Sequence, residues 1–516
     1  MKALLFTLFL LVAFALQAQH FTKVIKAFTD NTRCDVKSLG SKGSVAVTSY
    51  TAGLPHTAVL ISRYDTTGAL RWAKEFGENG SDYRDFAATS DNNFIATMLA
   101  TSNSALLFKL NDNGDVLWAK GVTAGNGISN SKVLEVNGGD YMLVGTAGID
   151  FMHSRGYQLR VNATGNLVSF KGFKCTQYDR VSFMNAITTA QGDILMLGNV
   201  DTTDWRAIFL LKTTASGTIL WGRQIELDTA DVYPKQLFET PEGNIQITCW
   251  HQSFGETPGD AYVINTDSNG VVQSVLGIDY HATMNSFGGS HRMDDGSMLF
   301  TGSEYSGGDH QFLIKIDNVG NVVFTRKYGR GVFDHGTSVT DLQNGDILIG
   351  GTTYPWGYTG GGEPFDIALI RTDADGNVPC YQFTGTATTF AHMFNSSPLN
   401  FTDTVFGAIH DVTIPTLSVY SDSTLCSSLI SGMEETNETF AFLLFPNPVG
   451  SELIIECAKP FNSLRVIDIT GSVLYSTQPS AQVSRWHLPV AGFAPGIYFA
   501  EVKLGDVSIV RKFIKQ

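Results

Sequence analysis

The sequence predicts an all-β protein in which a seven-bladed β-propeller is followed by a small Ig-like β-sandwich. Three observations predict this fold. A hairpin motif recurs seven times at intervals of about 50 residues, which is typical of a four-stranded blade. A second turn recurs in the same register, and the end of the chain changes to a separate run of alternating strands. The 52 glycines and a charged fraction of only 16% suit many short strands joined by tight turns.

The first 18 residues have the pattern of a signal peptide. Lys2 is their only charge, residues 3–16 form one apolar run, and the small residue Ala18 precedes Gln19, where we predict cleavage. The apolar run is shorter than the roughly 20 residues that span a bilayer. We therefore expect no transmembrane anchor after the signal peptide is removed.

The charge balance argues against nucleic acid as a partner. Removal of Lys2 leaves 34 of the 35 basic residues, against 49 acidic residues. A chain with this acidic excess lacks the concentrated basic surface that binds a phosphate backbone.

The six cysteines give a weaker signal. None lies in a C-x-x-C pair, so the sequence gives no support for a zinc or thioredoxin-like site. Cys380 and Cys426 bracket one Ser/Thr-rich segment and are the candidate disulfide pair. The alternative, that the cysteines are buried thiols, is equally compatible with the sequence.

The main repeat is an apolar strand, a turn of the D-x-x-G type, and a second strand that carries an aromatic residue. The clearest copies cover 60–76, 106–122, 209–225 and 312–328. A hairpin turn of this length needs a residue with positive φ, which glycine adopts without steric cost. The turn glycines are Gly68, Gly114, Gly165, Gly217, Gly270, Gly320 and Gly376.

Two further positions recur with this turn. Four residues after the glycine stands Trp72, Trp118, Trp221 or Phe324, and we expect these rings to fill the space between adjacent sheets. Five residues before it, six of the seven copies have a basic residue, which we interpret as an outward, solvated or edge-protecting charge. These basic residues are Arg63, Lys109, Arg160, Lys212, Lys315 and Arg371.

The second turn has the same period and precedes a short apolar strand in each repeat. It contains Gly43, Asn93, Gly139, Gly192, Gly243, Gly296 and Gly345. Together the two turns predict four strands per blade, named a to d in chain order, within a propeller that covers residues 19–383.

Closure of the ring is predicted from what the last repeat lacks. It has strands a (335–342), b (346–352) and c (366–372), while the chain begins with an unpaired d-like strand at 21–28. We expect this N-terminal strand to supply the missing d strand and remove two exposed edges. The competing d strand, 377–383, contains a proline where the ladder needs a donor.

The segments after the propeller differ in composition. Residues 384–437 are rich in Ser and Thr and predict an extended connector, with a strand at 416–421 as one possibility. Residues 438–516 alternate with period two over several stretches and predict a compact antiparallel sandwich.

Four ordered motifs in this last segment carry a family resemblance. They include Pro446, Asn447 and Pro448; Asp468 and Gly471; Pro495, Gly496 and Tyr498; and the basic terminus Arg511, Lys512 and Lys515. The segment resembles the type A sorting domain of the type IX secretion system of Bacteroidetes, although Ser472 stands where a basic residue is frequent. The resemblance implies transport across the outer membrane by the type IX machinery, removal of the domain, and a secreted or cell-surface location. The alternative is an ordinary Ig-like appendage.

The repeats of the N-terminal part resemble the tryptophan-anchored and PQQ-like repeats of bacterial propellers. This resemblance implies the fold and no cofactor. No H-E-x-x-H, G-x-S-x-G or P-loop motif is present, and Asp- and Asn-rich segments that resemble calcium loops fall on the hairpin turns, which explain them. We therefore predict no catalytic residue, metal or cofactor. A site assembled from several blades would contain none of these local motifs.

The b–c loops are the candidate binding elements, because in a propeller they share a face with the d–a loops at the mouth of the channel. Three of them, 201–206, 251–260 and 353–366, contain candidate ligand-binding residues, which are Trp205, His251, Phe254, Tyr354, Trp356 and Tyr358. The alternative is that these aromatic residues only cap the blades.

Three functions remain open. The first is an exported module that binds a glycan or a protein through the loop face. The second is a secreted polysaccharide-degrading hydrolase or lyase, and the third is a structural or adhesive surface protein.

Overall fold

The computed structural model divides the chain into two compact units, residues 1–430 and 431–516. It describes residues 20–29, 34–51, 57–77, 81–100, 104–136, 138–150, 152–201, 206–226, 231–252, 260–280, 285–304, 309–331, 334–353, 365–379, 382–414, 416–419, 422–428, 442–468, 472–479, 483–504 and 507–516. The predicted signal peptide and its cleavage site lie outside these ranges. Across the described ranges, no helix is long and apolar enough to cross a membrane.

The first unit is a seven-bladed β-propeller, as predicted. Strand β1 spans His20–Thr29. Blade 1 contains β2 Cys34–Ser38, β3 Ser44–Thr51, β4 Thr57–Tyr64 and β5 Leu70–Phe76, and blade 2 contains β6 Asp82–Ala88, β7 Phe94–Leu99, β8 Ala105–Leu110 and β9 Val116–Thr123. Blade 3 contains β10 Gly127–Val136, β11 Asp140–Gly148, β12 Ser154–Val161 and β13 Leu167–Cys175, and blade 4 contains β14 Val181–Thr188, β15 Ile194–Asp201, β16 Arg206–Thr213 and β17 Ile219–Glu226. Blade 5 contains β18 Asp231–Glu239, β19 Ile245–Gln252, β20 Ala261–Thr266 and β21 Val272–Tyr280, and blade 6 contains β22 Asn285–Arg292, β23 Met298–Glu304, β24 Asp309–Ile316 and β25 Val322–Gly331. Blade 7 contains β26 His335–Asp341, β27 Ile347–Thr353 and β28 Phe365–Thr372.

The N-terminal strand closes the ring, which confirms the preferred prediction. Strand β1 pairs antiparallel with β28 and so becomes the d strand of blade 7. The competing candidate at 377–383 does not take this place, because its end, Gln382–Thr384, pairs with β25 of blade 6 instead.

The repeat turns have the predicted conformation with one correction. Each turn glycine of the main repeat has positive φ. In the second turn of blade 2, Asn92, with a φ of 66°, takes the place of the turn glycine, whereas the repeat register assigns that place to Asn93. Asparagine tolerates this left-handed conformation better than most residues, because its short polar side chain bonds locally.

The segment predicted as a connector forms strands along the outer edge of every blade. After blade 7 the chain runs back around the ring, and we call residues 382–428 the belt. Each belt strand pairs antiparallel with one d strand and makes a five-stranded sheet. In order, the belt strands are β29 Gln382–Thr384 on blade 6, β30 Ala387–His392 on blade 5, β31 Asn395–Pro398 on blade 4, β32 Phe401–Val405 on blade 3, β33 Ala408–Asp411 on blade 2, β34 Thr416–Val419 on blade 1 and β35 Asp422–Ser428 on blade 7.

The belt is anchored by single apolar side chains that enter the gaps between blades. Phe394, Leu399, Phe401 and Ile414 are buried in the interblade core clusters. Strand β35 pairs with β1, so the closing strand is hydrogen-bonded on both edges. The belt thus covers the outer edges that the four-stranded blades would otherwise expose.

The repeated basic residue is not the outward charge that we predicted. In four blades it forms an ion pair with an aspartate near the a–b turn of its own blade, and Arg63 instead pairs with Asp112 of the next blade. Arg63, Lys109 and Arg371 are buried. The pairs within blades are Lys109–Asp91, Arg160–Asp140, Lys212–Asp193 and Arg371–Asp346. The charge therefore ties strand c to the a–b turn.

The repeated aromatic residue lies between adjacent blades, as predicted, and there it packs on the turn glycine of the following blade. A Cβ atom built on Gly114 or Gly165 would lie 2.9 Å from the Trp72 or Trp118 ring, respectively. Both indoles also donate to a carbonyl of that next turn, at 2.9 and 3.0 Å. Glycine is thus required at the turn both for its positive φ and for this close approach.

Phe21 supplies the equivalent ring in blade 7. It pairs with Arg371 in the ladder, as Trp72 pairs with Arg63 in blade 1, and its ring lies against Gly68. The closing strand therefore enters the ring in the register of the repeat.

Side chains of the innermost strands join neighbouring blades. The buried Asp85 of blade 2 lies 3.2 Å from Lys37 Nζ of blade 1 and 3.1 Å from Lys132 Nζ of blade 3. Its second oxygen accepts a hydrogen bond from the Val133 amide at 2.9 Å. One carboxylate therefore holds three a strands together.

The second unit is a β-sandwich, as predicted. One sheet has the order β36-β37-β40 and the other β39-β38-β41-β42. The strands are β36 Phe442–Phe445, β37 Glu452–Phe461, β38 Ser463–Asp468, β39 Val473–Thr477, β40 Val483–Pro489, β41 Gly496–Leu504 and β42 Val507–Lys515. The core between the sheets includes Leu453, Leu464, Val466, Ala500 and Phe513.

Candidate functional site

A cleft of about 610 Å³ opens on the face formed by the b–c and d–a loops of blades 3, 4 and 5. This is the face on which the sequence predicts ligand binding. The cleft is lined mainly by hydroxyl, amide and charged side chains at the ends of strands. The strands are held by the blade cores, so these side chains project from a rigid frame.

The b–c loop of blade 3 places a histidine at the cleft. The amides of Met152 and His153 donate to Asp150 Oδ1 at 2.8 and 2.9 Å, which closes a tight turn between β11 and β12. The His153 ring nitrogen Nδ1 lies 2.6 and 2.7 Å from the two Asp150 oxygens. Both residues line the cleft.

The hydrogen bonds assign the tautomer of this histidine. The imidazole hydrogen bond and the Met152 amide hold the pKa of the Asp150 carboxyl below its usual range, so the group is ionised near neutral pH and accepts only. Nδ1 therefore carries the shared proton and Nε2 has a free lone pair. Nε2 lies 3.9 Å from Asp179 Oδ1, beyond hydrogen-bond distance.

A row of charges continues from this loop into blade 4. The Ser154 amide donates to the Asp179 carbonyl at 3.0 Å, which fixes the d–a loop beside the histidine loop. The next residue, Arg180, is 59% exposed at its side chain and lies 4.0 Å from Asp201. Arg206 Nε donates to the other Asp201 oxygen at 3.0 Å.

The row ends on blade 5 in stacked aromatic rings. The Arg206 guanidinium lies 5.1 Å from the centre of the Tyr233 ring, and Tyr233 stacks on Trp250 at 4.7 Å. Asp231 accepts from the Arg206 amide at 2.7 Å and from the Tyr233 hydroxyl at 3.3 Å. Burial lowers the pKa of Arg206, but the hydrogen bond and charge of Asp201 outweigh it, so the pKa is raised and the guanidinium stays charged.

The structure tests little of the binding site predicted from sequence. Trp205, Phe254, Tyr354, Trp356 and Tyr358 fall in segments that are not described. His251 lies on β19, where its backbone pairs with Val232. The two ends of the predicted loop 201–206, Asp201 and Arg206, do line the cleft.

The predicted disulfide is likewise untested, because Cys380 and the side chain of Cys426 are outside the described part of the chain. Cys34, Cys175, Cys249 and Cys457 are free and buried. Among the described residues, no group of three or more His, Cys, Asp and Glu side chains is placed to hold a metal ion.

His153 is not among the site residues predicted from the sequence. Its signal was the D-x-x-H spacing of Asp150 and His153 in a b–c loop, together with Asp179 and Arg180 in the d–a loop that follows. Two short polar loops separated by a whole hairpin are common in propellers, so the pattern has meaning only once the blade geometry is known.

The motif residues of the second unit hold its two ends together. Asn447 Oδ1 accepts from the Ile514 amide at 2.8 Å, and the Val449 amide donates to the Ile514 carbonyl at 2.7 Å. Tyr498 stacks on Phe513 at 5.6 Å and donates its hydroxyl to the Ala494 carbonyl at 2.7 Å. The Pro446–Pro448 segment and the basic terminus are therefore parts of one structural element.

Two other motif residues, Asp468 and Gly496, lie where a turn meets a strand. Gly496 starts β41 directly after the exposed Pro495, and the Ser472 amide donates to Asp468 Oδ1 at 3.0 Å. Gly471 lies outside the residues that the structure describes.

Comparison with known proteins identifies this second unit. Residues 443–516 match the family described as "Secretion system C-terminal sorting domain". The match confirms the predicted sorting domain and places the protein outside the cell, secreted or attached to the surface. No curated protein sequence matches the chain.

Solved structures resemble the propeller at low identity. The polysaccharide lyase Uly1 is 11% identical, with a TM-score of 0.40 over 67% of this chain and 91% of its own. An ulvan lyase of family PL25, bound to -[GlcA(1-4)Rha3S]-, is 9% identical, with a TM-score of 0.45 over 68% and 96%. A protein of unknown function from Dyadobacter fermentans DSM 18053 is 8% identical, with a TM-score of 0.33 over 69% and 100%. At these values the likeness does not extend to substrate or mechanism.

Proposed function

The chain is a type IX secretion cargo with a C-terminal sorting domain, and we propose that its propeller binds a polysaccharide outside the cell. The cleft of blades 3 to 5 is the proposed binding site. The observation that carries the proposal is the row of fixed hydrogen-bonding groups from Asp150 to Tyr233, which lines one open cleft.

The composition of the cleft favours a polyhydroxylated ligand. Asn126, Ser129, Ser182 and Asn199 line it beside the charged row, and these groups exchange hydrogen bonds with sugar hydroxyls. The apolar or aromatic residues of the described lining are Ile128, Val181, Met184 and Tyr233, and polar and charged residues outnumber them, unlike at the centre of a protein–protein interface. A glycan therefore fits these residues better than a protein.

Arg206 is the residue whose loss should weaken binding most. Its guanidinium is oriented by Asp201 and by the Tyr233 ring, so it meets a ligand without losing side-chain freedom. We expect Arg206→Ala to lower the affinity for the bound polysaccharide by about tenfold or more. The measurement is retention of the full chain on an array of neutral and acidic polysaccharides, followed by titration with the one retained.

The matched control is Arg71→Ala. Arg71 is also an exposed arginine paired with an aspartate, Asp112, at 2.8 Å, but it lies in a c–d hairpin on the opposite face of the ring. Arg71→Ala should leave the affinity unchanged. Equal affinity of wild type and Arg206→Ala would contradict the placement of the binding site in this cleft. Capture of a protein from the surroundings, with no polysaccharide retained, would contradict the proposal that the ligand is a glycan.

A further inference from the structure

We infer that the cleft is also catalytic, and that His153 removes a proton from a uronate residue of an acidic polysaccharide, which is then cleaved by β-elimination. This inference rests on the proposed function, because it requires the polysaccharide to occupy the same cleft.

The Asp150–His153 pair has the geometry of a general base. Asp150 holds Nδ1 through two short contacts, which fixes the ring orientation and leaves the Nε2 lone pair free. The ring is 47% exposed and lines the cleft, so Nε2 is accessible to a ligand there. The ionised Asp150 also stabilises the imidazolium that forms when the ring accepts a proton.

Arg180 supplies the second requirement of β-elimination, a cation for the uronate carboxylate. Among the described residues its one ionic contact is to Asp201 at 4.0 Å, so the guanidinium retains donors for a ligand. It is adjacent in sequence to Asp179, whose carboxylate lies 3.9 Å from His153 Nε2. The base and the cation therefore belong to one wall of the cleft.

The chemical step needs no cofactor. With the uronate carboxylate neutralised by Arg180, the hydrogen on C5 becomes acidic enough for His153 Nε2 to remove it. The electron pair of the C5–H bond forms the C4–C5 double bond, and the C4–O4 bond breaks. O4 leaves with its electron pair and takes a proton from water, and His153 returns its proton to the solvent.

The test uses the full chain with 4-linked uronate polysaccharides, namely polygalacturonate, alginate and hyaluronan. Turnover is followed by the ultraviolet absorbance of the new double bond and by new reducing ends, while binding is titrated separately. For the substrate that is cleaved, we expect His153→Ala to lower turnover by about 10²–10⁴-fold and to retain binding. The control His291→Ala removes a histidine that lies 2.7 Å from Asp341 on the opposite face, and it should retain turnover.

Asp150 is a positioning residue, and its test is a split between kcat and KM. In Asp150→Asn we expect kcat to fall while KM stays within about twofold, because the amide no longer holds the ring orientation or balances the charge that the ring gains during proton removal.

The remaining outcomes separate the two proposals. Binding of uronate polysaccharides without an unsaturated product, or reducing ends without absorbance, would overturn the β-elimination and leave polysaccharide binding intact. Equal turnover by wild type and His153→Ala would also overturn it. Absence of binding and turnover with these three polymers would overturn this inference, and absence of binding across the whole array of neutral and acidic polysaccharides would overturn the proposed function as well.

Discussion

Phe21→Ala is expected to lower the free energy of unfolding of the propeller by about 3–5 kcal/mol, the usual cost of removing a buried phenylalanine ring. Phe21 is 3% exposed and packs on Gly68 of blade 1 from the strand that closes blade 7. The ring closes only through this strand, so the cavity would form at its seam. Denaturant titration followed by tryptophan fluorescence measures the change.

The control for Phe21 is Val323→Ala. Val323 lies on the d strand of blade 6 beside the repeat aromatic Phe324, but its side chain is 54% exposed. We expect a change within about 0.5 kcal/mol for it. A change that small for Phe21→Ala would mean that β1 does not close the ring.

Asp85→Ala is expected to destabilise the propeller by about 3 kcal/mol, because it leaves two lysine ammonium groups facing each other between blades. Asp85 is 3% exposed, whereas the side chains of Lys37 and Lys132 are 33% and 20% exposed and stay partly solvated. The expected loss of stability therefore lies at the lower end of the range for breaking a buried ion pair. Thermal unfolding of the variant at neutral pH gives the measurement.

The contribution of Asp85 also depends on pH, with a defined sign. Burial acts to raise its pKa, but the charges of Lys132 and Lys37 and the Val133 amide outweigh burial and lower it. A carboxyl with a depressed folded pKa stabilises the protein above its unfolded pKa of about 3.9, and this contribution is lost as the pH falls through the folded value. The difference between wild type and Asp85→Asn should therefore shrink below about pH 4.

Asp403→Ala is the matched control for Asp85. Asp403 also pairs with a lysine, Lys171, at 2.7 Å, but its side chain is 38% exposed, whereas that of Asp85 is 3% exposed. An exposed pair of this kind contributes about 0–1 kcal/mol. Equal effects of the two substitutions would contradict a buried three-blade junction at Asp85.

The blades and their closure were predictable because they are repeated. Gly68, Gly114 and their equivalents recur with strand-periodic neighbours, and repetition makes each weak local signal count several times. The closing strand followed from the missing d strand of the last repeat. The direction of the repeated basic residue was not predictable, because its aspartate partner belongs to a different turn.

One belt strand was predicted in part, since β34, Thr416–Val419, lies within the strand suggested at 416–421. The other belt strands were not predictable, because edge strands at the perimeter bury little and so lack an alternating apolar pattern. Strand β32, for example, is buried only at its first residue, Phe401. Its partner, β13, lies more than 200 residues earlier in the chain. The one available signal was the isolated apolar residues Phe394, Phe401 and Ile414 within a Ser/Thr-rich segment, which are the anchors between blades.

The candidate site was predictable only as a face of the fold. The sequence places the b–c and d–a loops on one face, and the cleft lies there. It does not show that Asp150, Arg180 and Arg206, from separate loops, converge on one cavity. The sorting domain, in contrast, was fully predictable as a family, because its motifs are local and ordered along the sequence.

The most direct test of the central claim, that the cleft of blades 3 to 5 is the functional site, is hydrogen–deuterium exchange of the full chain with and without a bound polysaccharide. We predict slower exchange with ligand in peptides that cover 146–150, 179–184 and 206–213. Protection confined to the opposite face of the propeller, or to the 353–366 loop, would contradict the assignment of the site.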